Sequence, residues 1–188
     1  MFGKHTEKME EKGKDALEMA EEKKKEDEKS TEEARRKVIK VVCIDAPLSL
    51  PKGRKSIDDR KGPHFRACDL ELRKRHIRFF PITLGPMRML TKRGIRLKKE
   101  LEKRGFKVFE CFPGGAQDVL KMPRKQQGLD LLAKALKKYG VKMPKRNLTG
   151  DELDAITCAI VGMDYLLGNY EELGDKNEGV ILMPKIKR

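Results

Sequence analysis

The distribution of apolar positions divides the chain near residue 38. The first 37 residues are mostly charged, with few large apolar side chains and only a narrow apolar stripe. Such a composition favours a solvated helix with one docking edge, or a partly disordered segment. We therefore predict a charged segment over residues 1–37 and a folded domain over residues 38–188.

The pattern after this segment predicts alternating strands and helices. Val38–Ile44 is rich in β-branched residues and almost wholly apolar, as in a parallel strand covered on both faces. Such alternation is typical of an α/β fold with a mostly parallel sheet. After this strand we expect a helix over Phe65–His76, a loop over Phe79–Pro86 and a helix over Thr91–Arg104 that Thr91 caps. A second strand is expected over Phe106–Phe112 and ends at Pro113-Gly114-Gly115. The remaining expected elements are helices over Gln126–Tyr139 and Asp151–Leu167 and a strand over Gly179–Met183.

Charge changes this picture by suggesting a partner. The formal net charge is +14, and the first 37 residues carry 11 of the 44 basic and 12 of the 30 acidic residues. The basic excess therefore lies in the folded part, which favours a polyanionic partner such as nucleic acid. An equally weighted interpretation is that abundant Lys and Glu reflect a thermophilic source.

Cysteine usage and hydropathy indicate the cellular compartment of the protein. The four cysteines have no Cys-x-x-Cys spacing and fall mostly within apolar runs, as buried thiols do in a reducing compartment. No run of 18 apolar residues and no signal-like apolar stretch is present. We therefore expect a cytoplasmic protein that does not associate with a membrane.

Candidate chemistry concentrates on carboxylates. Asp45 ends the first strand and Glu110 lies near the end of the second, so adjacent parallel strands would bring both to one edge of the sheet. Asp151 and Asp154 are three residues apart and share one helical face. Carboxylates from separate elements can hold the Mg²⁺ or Mn²⁺ ions that assist phosphodiester cleavage. Asp45, Asp151 and Asp154 are the predicted metal ligands, with Glu110 as a further catalytic residue.

A structural alternative exists for each of these carboxylates. Thr149 and Glu152 fit a capping box, and acidic residues in a first helical turn are favoured by the helix dipole. Asp45 before Ala-Pro can be an ordinary turn residue. Glu110 can equally form a salt bridge with one of the many basic residues.

Several segments from about Val38 to Pro184 resemble an uncharacterised prokaryotic family of predicted nucleases with an RNase H-like fold. The Asp-x-x-Asp-Ala pattern is also similar to the metal-binding C-terminal helix of RuvC-type Holliday-junction resolvases. The segments that carry the resemblance are Ile44–Pro51, Arg66–Asp69, Leu90–Gly94, Phe109–Pro113, Asp151–Ala155 and Glu178–Pro184.

The resemblance implies a three-layer RNase H-like domain and a metal-dependent nuclease. Such a fold begins with three antiparallel strands, the first of which carries a metal-bridging aspartate, whereas this chain offers only the charged segment there. We expect a truncated start, a homo-oligomer in which a second chain completes the sheet, or a lost hairpin. The alternative function is a catalytically degenerate domain that binds nucleic acid or a protein partner.

Basic residues near these segments are candidates for nucleic-acid contact. Arg54 lies in the loop after Asp45, and Lys92 and Arg93 lie on the following helix. Such residues contact phosphates without distinguishing base sequence. Arg66 is a further candidate, although its spacing from Asp69 favours an internal ion pair.

Overall fold

The fold was obtained as a computed structural model that describes residues 40–185 together with Met19, Glu21, Glu22, Lys24 and Lys25. The last five are helical, as the composition of their segment favours. The remaining predictions for residues 1–37 lie outside the described residues. The architecture below is that of the compact unit Val41–Arg188.

Four strands of the described unit form one mostly parallel sheet, as the sequence predicted. The order across the sheet is β1-β2-β4-β3, in which β1, β2 and β4 are parallel and β3 is antiparallel to β4. Among the described strands β1 pairs only with β2, so the expected completion of the sheet by a second chain stays a prediction. The strands are β1 (Val41–Asp45), β2 (Lys107–Cys111), β3 (Tyr170–Asp175) and β4 (Gly179–Pro184).

Five α-helices within residues 40–185 cover the sheet, and none of them is long and apolar enough to cross a membrane. One face packs on α3 and α5 through Phe109, Cys111 and Leu182, and α4 packs on the outer side of α5. The other face packs on α1 and α2 through two further clusters. This arrangement is compatible with a three-layer α/β fold. The helices are α1 (Ala67–Lys74), α2 (Gly85–Lys103), α3 (Pro113–Val119), α4 (Leu129–Lys138) and α5 (Gly150–Leu166).

The starts of two helices, α2 and α3, differ from the prediction, and a proline in the first turn explains both. Thr91 does not cap α2, because the helix already begins at Gly85 and the buried Thr91 hydroxyl donates to the Met87 carbonyl at 2.7 Å. Pro113-Gly114-Gly115, which was expected only to end the second strand, also begins α3, a helix that the pattern did not predict. In both helices proline lies in the first turn, where its missing N–H would have had no helical partner.

The α5 helix approaches the sheet closely through its small residues. A Cβ on Gly162 would lie 3.2 Å from Cys43 Sγ, so the thiol or the helix would have to shift by a few tenths of an ångström to admit a larger residue. The apolar side chains at the end of this helix are not buried, because Met163 is 55% and Leu167 is 66% exposed. The buried part of α5 is therefore its N-terminal two thirds, which includes Asp154.

Candidate functional site

Asp45 and Glu110 reach the same edge of the sheet but opposite faces. The parallel register pairs Asp45 with Cys111 and Ile44 with Glu110. Because side chains alternate along a strand, Asp45 shares the α5 face with Cys111, and Glu110 shares the other face with Ile44. The expectation of one shared edge was correct, but Glu110 is separated from the aspartates by the sheet itself.

Glu110 belongs to a buried ion-pair network, which we call the arginine cluster: Arg66, Asp69 and Glu110. Arg66 Nη1 and Nη2 donate to the two Glu110 oxygens at 2.6 and 2.7 Å. Its Nε and Nη2 also donate to the two Asp69 oxygens at 3.1 and 2.8 Å. Leu48 N donates to Glu110 Oε2 at 2.7 Å, which fixes the loop after β1. The predicted Arg66–Asp69 ion pair is therefore present, and the salt-bridge interpretation of Glu110 is confirmed.

Burial and charge act in opposite directions on the Arg66 guanidinium. Burial alone would lower the pKa of Arg66, but the charge and hydrogen bonds of Glu110, together with those of Asp69, raise it well above its usual value. Arg66 is 2% exposed. The guanidinium is consequently a permanent internal cation and is not available to a phosphate at the surface.

The opposite face holds a second group of charges, which we call the aspartate cluster: Asp45, Asp151, Asp154 and Lys125. Lys125 Nζ lies 2.7 Å from Asp154 Oδ2 and 3.2 Å from Asp151 Oδ1. The Asp154 side chain is 8% exposed, whereas that of Asp151 is 97% exposed. Lys125 thus lies between a buried and an exposed carboxylate at the start of α5.

The start of α5 sets the position of the aspartates on that helix. The capping box is present: Thr149 Oγ1 accepts from Glu152 N, and Glu152 Oε2 accepts from Thr149 N at 2.8 Å. The helix therefore begins at Gly150, which places Asp151 and Asp154 in its first two turns. The cap and the aspartate pair are successive parts of one helix start, so the structural interpretation of this segment does not exclude a functional one.

Gln117 fixes the orientation of Asp154. Its Nε2 donates to Asp154 Oδ1 at 3.0 Å and to Thr157 Oγ1 at 3.1 Å. The Thr157 hydroxyl in turn donates to the Leu153 carbonyl at 3.0 Å. Gln117 is 1% exposed, so its amide serves only these partners. One Asp154 oxygen is thus held by an amide and the other by an ammonium group.

Burial and neighbouring charges shift the titration of Asp45. Although its side chain is exposed at the sheet edge, the protein atoms around it remove much of its hydration. Desolvation, together with the charges of Asp154 and Asp151, raises the pKa of Asp45 to about 6, because Lys125 offsets these effects only in part. Asp45 makes no hydrogen bond or ion pair with another described residue. The single ammonium group therefore does not balance the three carboxylates.

The donors of this cluster suit a hard divalent cation, although they do not form a complete centre. Within residues 40–185, no three His, Cys, Asp or Glu side chains are placed to hold one metal ion. The Lys125 ammonium, however, already places a cation between two carboxylate oxygens. Mg²⁺ is commonly bound by one or two carboxylates with water or substrate phosphate as the other ligands. The aspartate cluster fits that mode of binding.

The residues predicted to contact nucleic acid fall into two groups. Arg54 is buried, and its guanidinium donates to the carbonyls of Pro63, Asp59 and Gly62 at 3.0, 2.7 and 3.2 Å. Arg54 and Arg66 therefore stabilise the fold from inside. Lys92 and Arg93 are exposed on α2, and Lys92 pairs with Asp58 at 3.0 Å. Only the second group can reach a polyanion in this arrangement.

Sequence analysis missed Gln117 and Lys125. Gln117 lies on a helix that the sequence pattern did not predict, so its burial was not foreseeable from the pattern. Lys125 is one of 44 basic residues, and it begins a short 3-10 helix, Lys125–Gln127. The one available signal was charge balance, since a buried aspartate on a helix face requires a partner.

Comparison with known proteins places the chain in a family. A family model described as a protein of unknown function, DUF429, matches residues 27–179. The match spans more than half of the chain. The chain belongs to the DUF429 family. Comparisons with curated proteins and with solved structures gave no match. For this DUF429 protein, function must therefore be inferred from the site.

Proposed function

We propose that this DUF429 protein is a divalent-metal-dependent nuclease that hydrolyses phosphodiester bonds in DNA or RNA. The observation that carries the proposal is the aspartate cluster at the carboxyl end of the sheet, in which one lysine pairs with two of three neighbouring carboxylates from β1 and α5. Such an imbalance destabilises a fold and is typical of functional sites. The resemblance to predicted nucleases with an RNase H-like fold supports the same conclusion.

Each residue of the site has a distinct task in this proposal. Asp154 and Asp151 provide oxygen ligands on the first turns of α5, and Gln117 orients Asp154. Asp45 adds a third carboxylate charge near them at the sheet edge. Mg²⁺ or Mn²⁺ bound there would activate a water and stabilise the leaving oxygen of the phosphodiester. Glu110 is not part of this site, because Arg66 holds it on the opposite face.

The charge of the folded part fits a nucleic-acid substrate. The folded part is basic overall, whereas the aspartate cluster is locally acidic. The surface can therefore attract a polyanion while the site attracts cations. Arg93 on α2 is exposed and makes no ion pair or hydrogen bond with a described residue. Lys92 and Arg93 are the proposed phosphate contacts.

Cleavage of labelled DNA and RNA oligonucleotides tests the proposal. We expect cleavage in Mg²⁺ or Mn²⁺, its loss in excess chelator, and a decrease of at least about 100-fold in Asp154→Asn. Asp130→Asn, an exposed aspartate on α4, is the matched control and should cleave as the wild type does. Equal cleavage by Asp154→Asn would show that the activity comes from a contaminant or another site.

A nucleic-acid-binding protein without catalysis is the second candidate. The observation that favours it is the Lys125 ammonium, which already pairs with two of the predicted ligands. This candidate requires binding that weakens steeply with salt, because released counterions drive the association. Salt-sensitive binding with no cleavage in Mn²⁺ would select it over the nuclease.

A further inference from the structure

The Lys125 side chain packs against Gly150 at the start of α5. A Cβ on Gly150 would lie 3.0 Å from Lys125 Cδ, so the glycine leaves room for the lysine stem. The Lys125 side chain is 33% exposed, and its ammonium group contacts the two aspartates. The stem is thus packed, while the charged end reaches solvent beside the carboxylates.

The helix itself does not attract this cation. Helix N-termini carry a partial positive charge, which repels an ammonium group placed there. The charges and hydrogen bonds of Asp154 and Asp151 hold Lys125 instead, and they raise the pKa of Lys125 above its usual value. An ion that offers the same carboxylates two positive charges would compete for this position.

We infer that Lys125 is a built-in counter-ion that a divalent metal must displace, and that it thereby sets the metal affinity of the aspartate cluster. The inference rests on the proposed function, because it assumes that this cluster is the metal site. Without metal, Lys125 holds Asp154 and Asp151 together against their mutual repulsion. With metal, its ammonium group moves out towards solvent, where the stem remains packed on Gly150.

Competition of this kind weakens metal binding by a definable factor. Only molecules in which the ammonium has left the carboxylates can bind the ion, so the apparent dissociation constant rises by the inverse of that fraction. Removal of the ammonium should tighten metal binding, whereas loss of a true ligand should weaken it. The two roles therefore predict opposite signs.

Lys125→Met provides the test, because methionine keeps much of the stem and loses the charge. We expect the full-length variant to bind Mn²⁺ about tenfold more tightly than the wild type, measured by electron paramagnetic resonance of free Mn²⁺. Lys134→Met, an exposed lysine on α4, is the matched control and should bind as the wild type does. Asp154→Asn should weaken binding in either background.

Thermal unfolding provides a second measurement that does not depend on activity. In chelator, Lys125→Met should melt about 2–4 °C below the wild type, because the aspartates lose their counter-ion. Added Mn²⁺ should raise its melting temperature more than that of the wild type. A Lys125→Met protein that melts no lower than Lys134→Met in chelator would overturn the counter-ion role.

The outcomes separate the inference from the proposed function. Wild-type binding of Mn²⁺ with equal or weaker binding by Lys125→Met would overturn the inference and leave the metal site in place. Failure of both proteins to bind millimolar Mn²⁺ would overturn the proposed metal site and the inference with it. Tighter binding by Lys125→Met that Asp154→Asn abolishes would support both.

Discussion

The arginine cluster and the aspartate cluster lie on opposite faces of the sheet at the same edge, yet their charges are compensated differently. In the arginine cluster, one guanidinium donates to all four oxygens of Asp69 and Glu110, and backbone N–H groups donate as well. In the aspartate cluster, one ammonium group serves two of three carboxylates, and Asp45 has no hydrogen-bond partner among the described residues.

The difference separates a structural cluster from the one that we propose to be functional. A buried charge is tolerated when every hydrogen-bonding position is filled, as in the arginine cluster. Carboxylates left short of donors cost stability, and proteins retain such arrangements mainly where a ligand completes them. The same reasoning explains why Glu110, which the sequence placed with the aspartates, belongs to the scaffold. It ties the loop after Asp45 to the sheet.

The largest expected effect comes from breaking the arginine cluster. Arg66→Met leaves Asp69 and Glu110 buried without their cation, and removal of one partner from such a network typically costs about 3–5 kcal/mol. We expect that decrease in the free energy of unfolding, measured by urea denaturation. Lys74→Met, an exposed lysine on α1, should change it by less than about 0.5 kcal/mol. A loss below about 1 kcal/mol for Arg66→Met would contradict a structural role.

An intermediate effect comes from adding charge to the aspartate cluster. Gln117→Glu keeps the shape of the side chain, but it replaces a donor to Asp154 with a fourth carboxylate. We expect a loss of about 2–3 kcal/mol at pH 7, from the missing hydrogen bond and the added repulsion. Asp154→Asn in the same chain should recover part of this loss, which a double-mutant cycle measures.

Controls for this substitution lie nearby. Gln126→Glu, at an exposed position of the 3-10 helix, adds the same charge outside the cluster and should leave stability almost unchanged. Mn²⁺ should stabilise Gln117→Glu more than the wild type if the cluster binds the ion. Equal losses for Gln117→Glu and Gln126→Glu would show that Gln117 does not orient Asp154.

Local patterns predicted the scaffold of the fold well, for physical reasons. Apolar β-branched runs specified β1 and β2, and the Thr149–Glu152 capping box specified the start of α5. The polar strand Tyr170–Asp175 was missed because its stability comes from pairing with β4, which a local pattern does not contain. Pairing across a hairpin overrode the weak β-propensity of its glutamates.

The candidate site was predicted only in part, because its geometry depends on register. The sequence identified Asp45, Asp151 and Asp154 as the acidic residues of one site, but strand alternation decided that Glu110 faces away. Which lysine of 44 basic residues meets the aspartates depends on the path of the chain between α3 and α4. Such long-range contacts arise from packing and are absent from residue spacing.

The smallest effect, and the one that separates the clusters most directly, comes from Asp45→Asn. Folding raises the pKa of Asp45 from near 4 to about 6, so the native state favours the protonated form. The carboxylate therefore destabilises the fold increasingly as pH rises from about 4 through about 6. We expect Asp45→Asn to raise the free energy of unfolding by about 1 kcal/mol at pH 7.5, a figure reduced for the solvent exposure of the side chain.

This gain should shrink as pH falls towards 4, in urea denaturation carried out with chelator at pH 7.5, 6 and 4.5. Asp58→Asn is the matched control, because its hydrogen bond and ion pair with Lys92 lower the pKa of Asp58, so that substitution should bring no gain at pH 7.5. If neutralising Asp45 stabilises the fold, the native charge lowers the free energy of unfolding. That behaviour is expected of a carboxylate kept for binding and not of one kept in a stabilising ion pair. A loss of stability in Asp45→Asn at pH 7.5 would instead place Asp45 with the structural carboxylates of the arginine cluster.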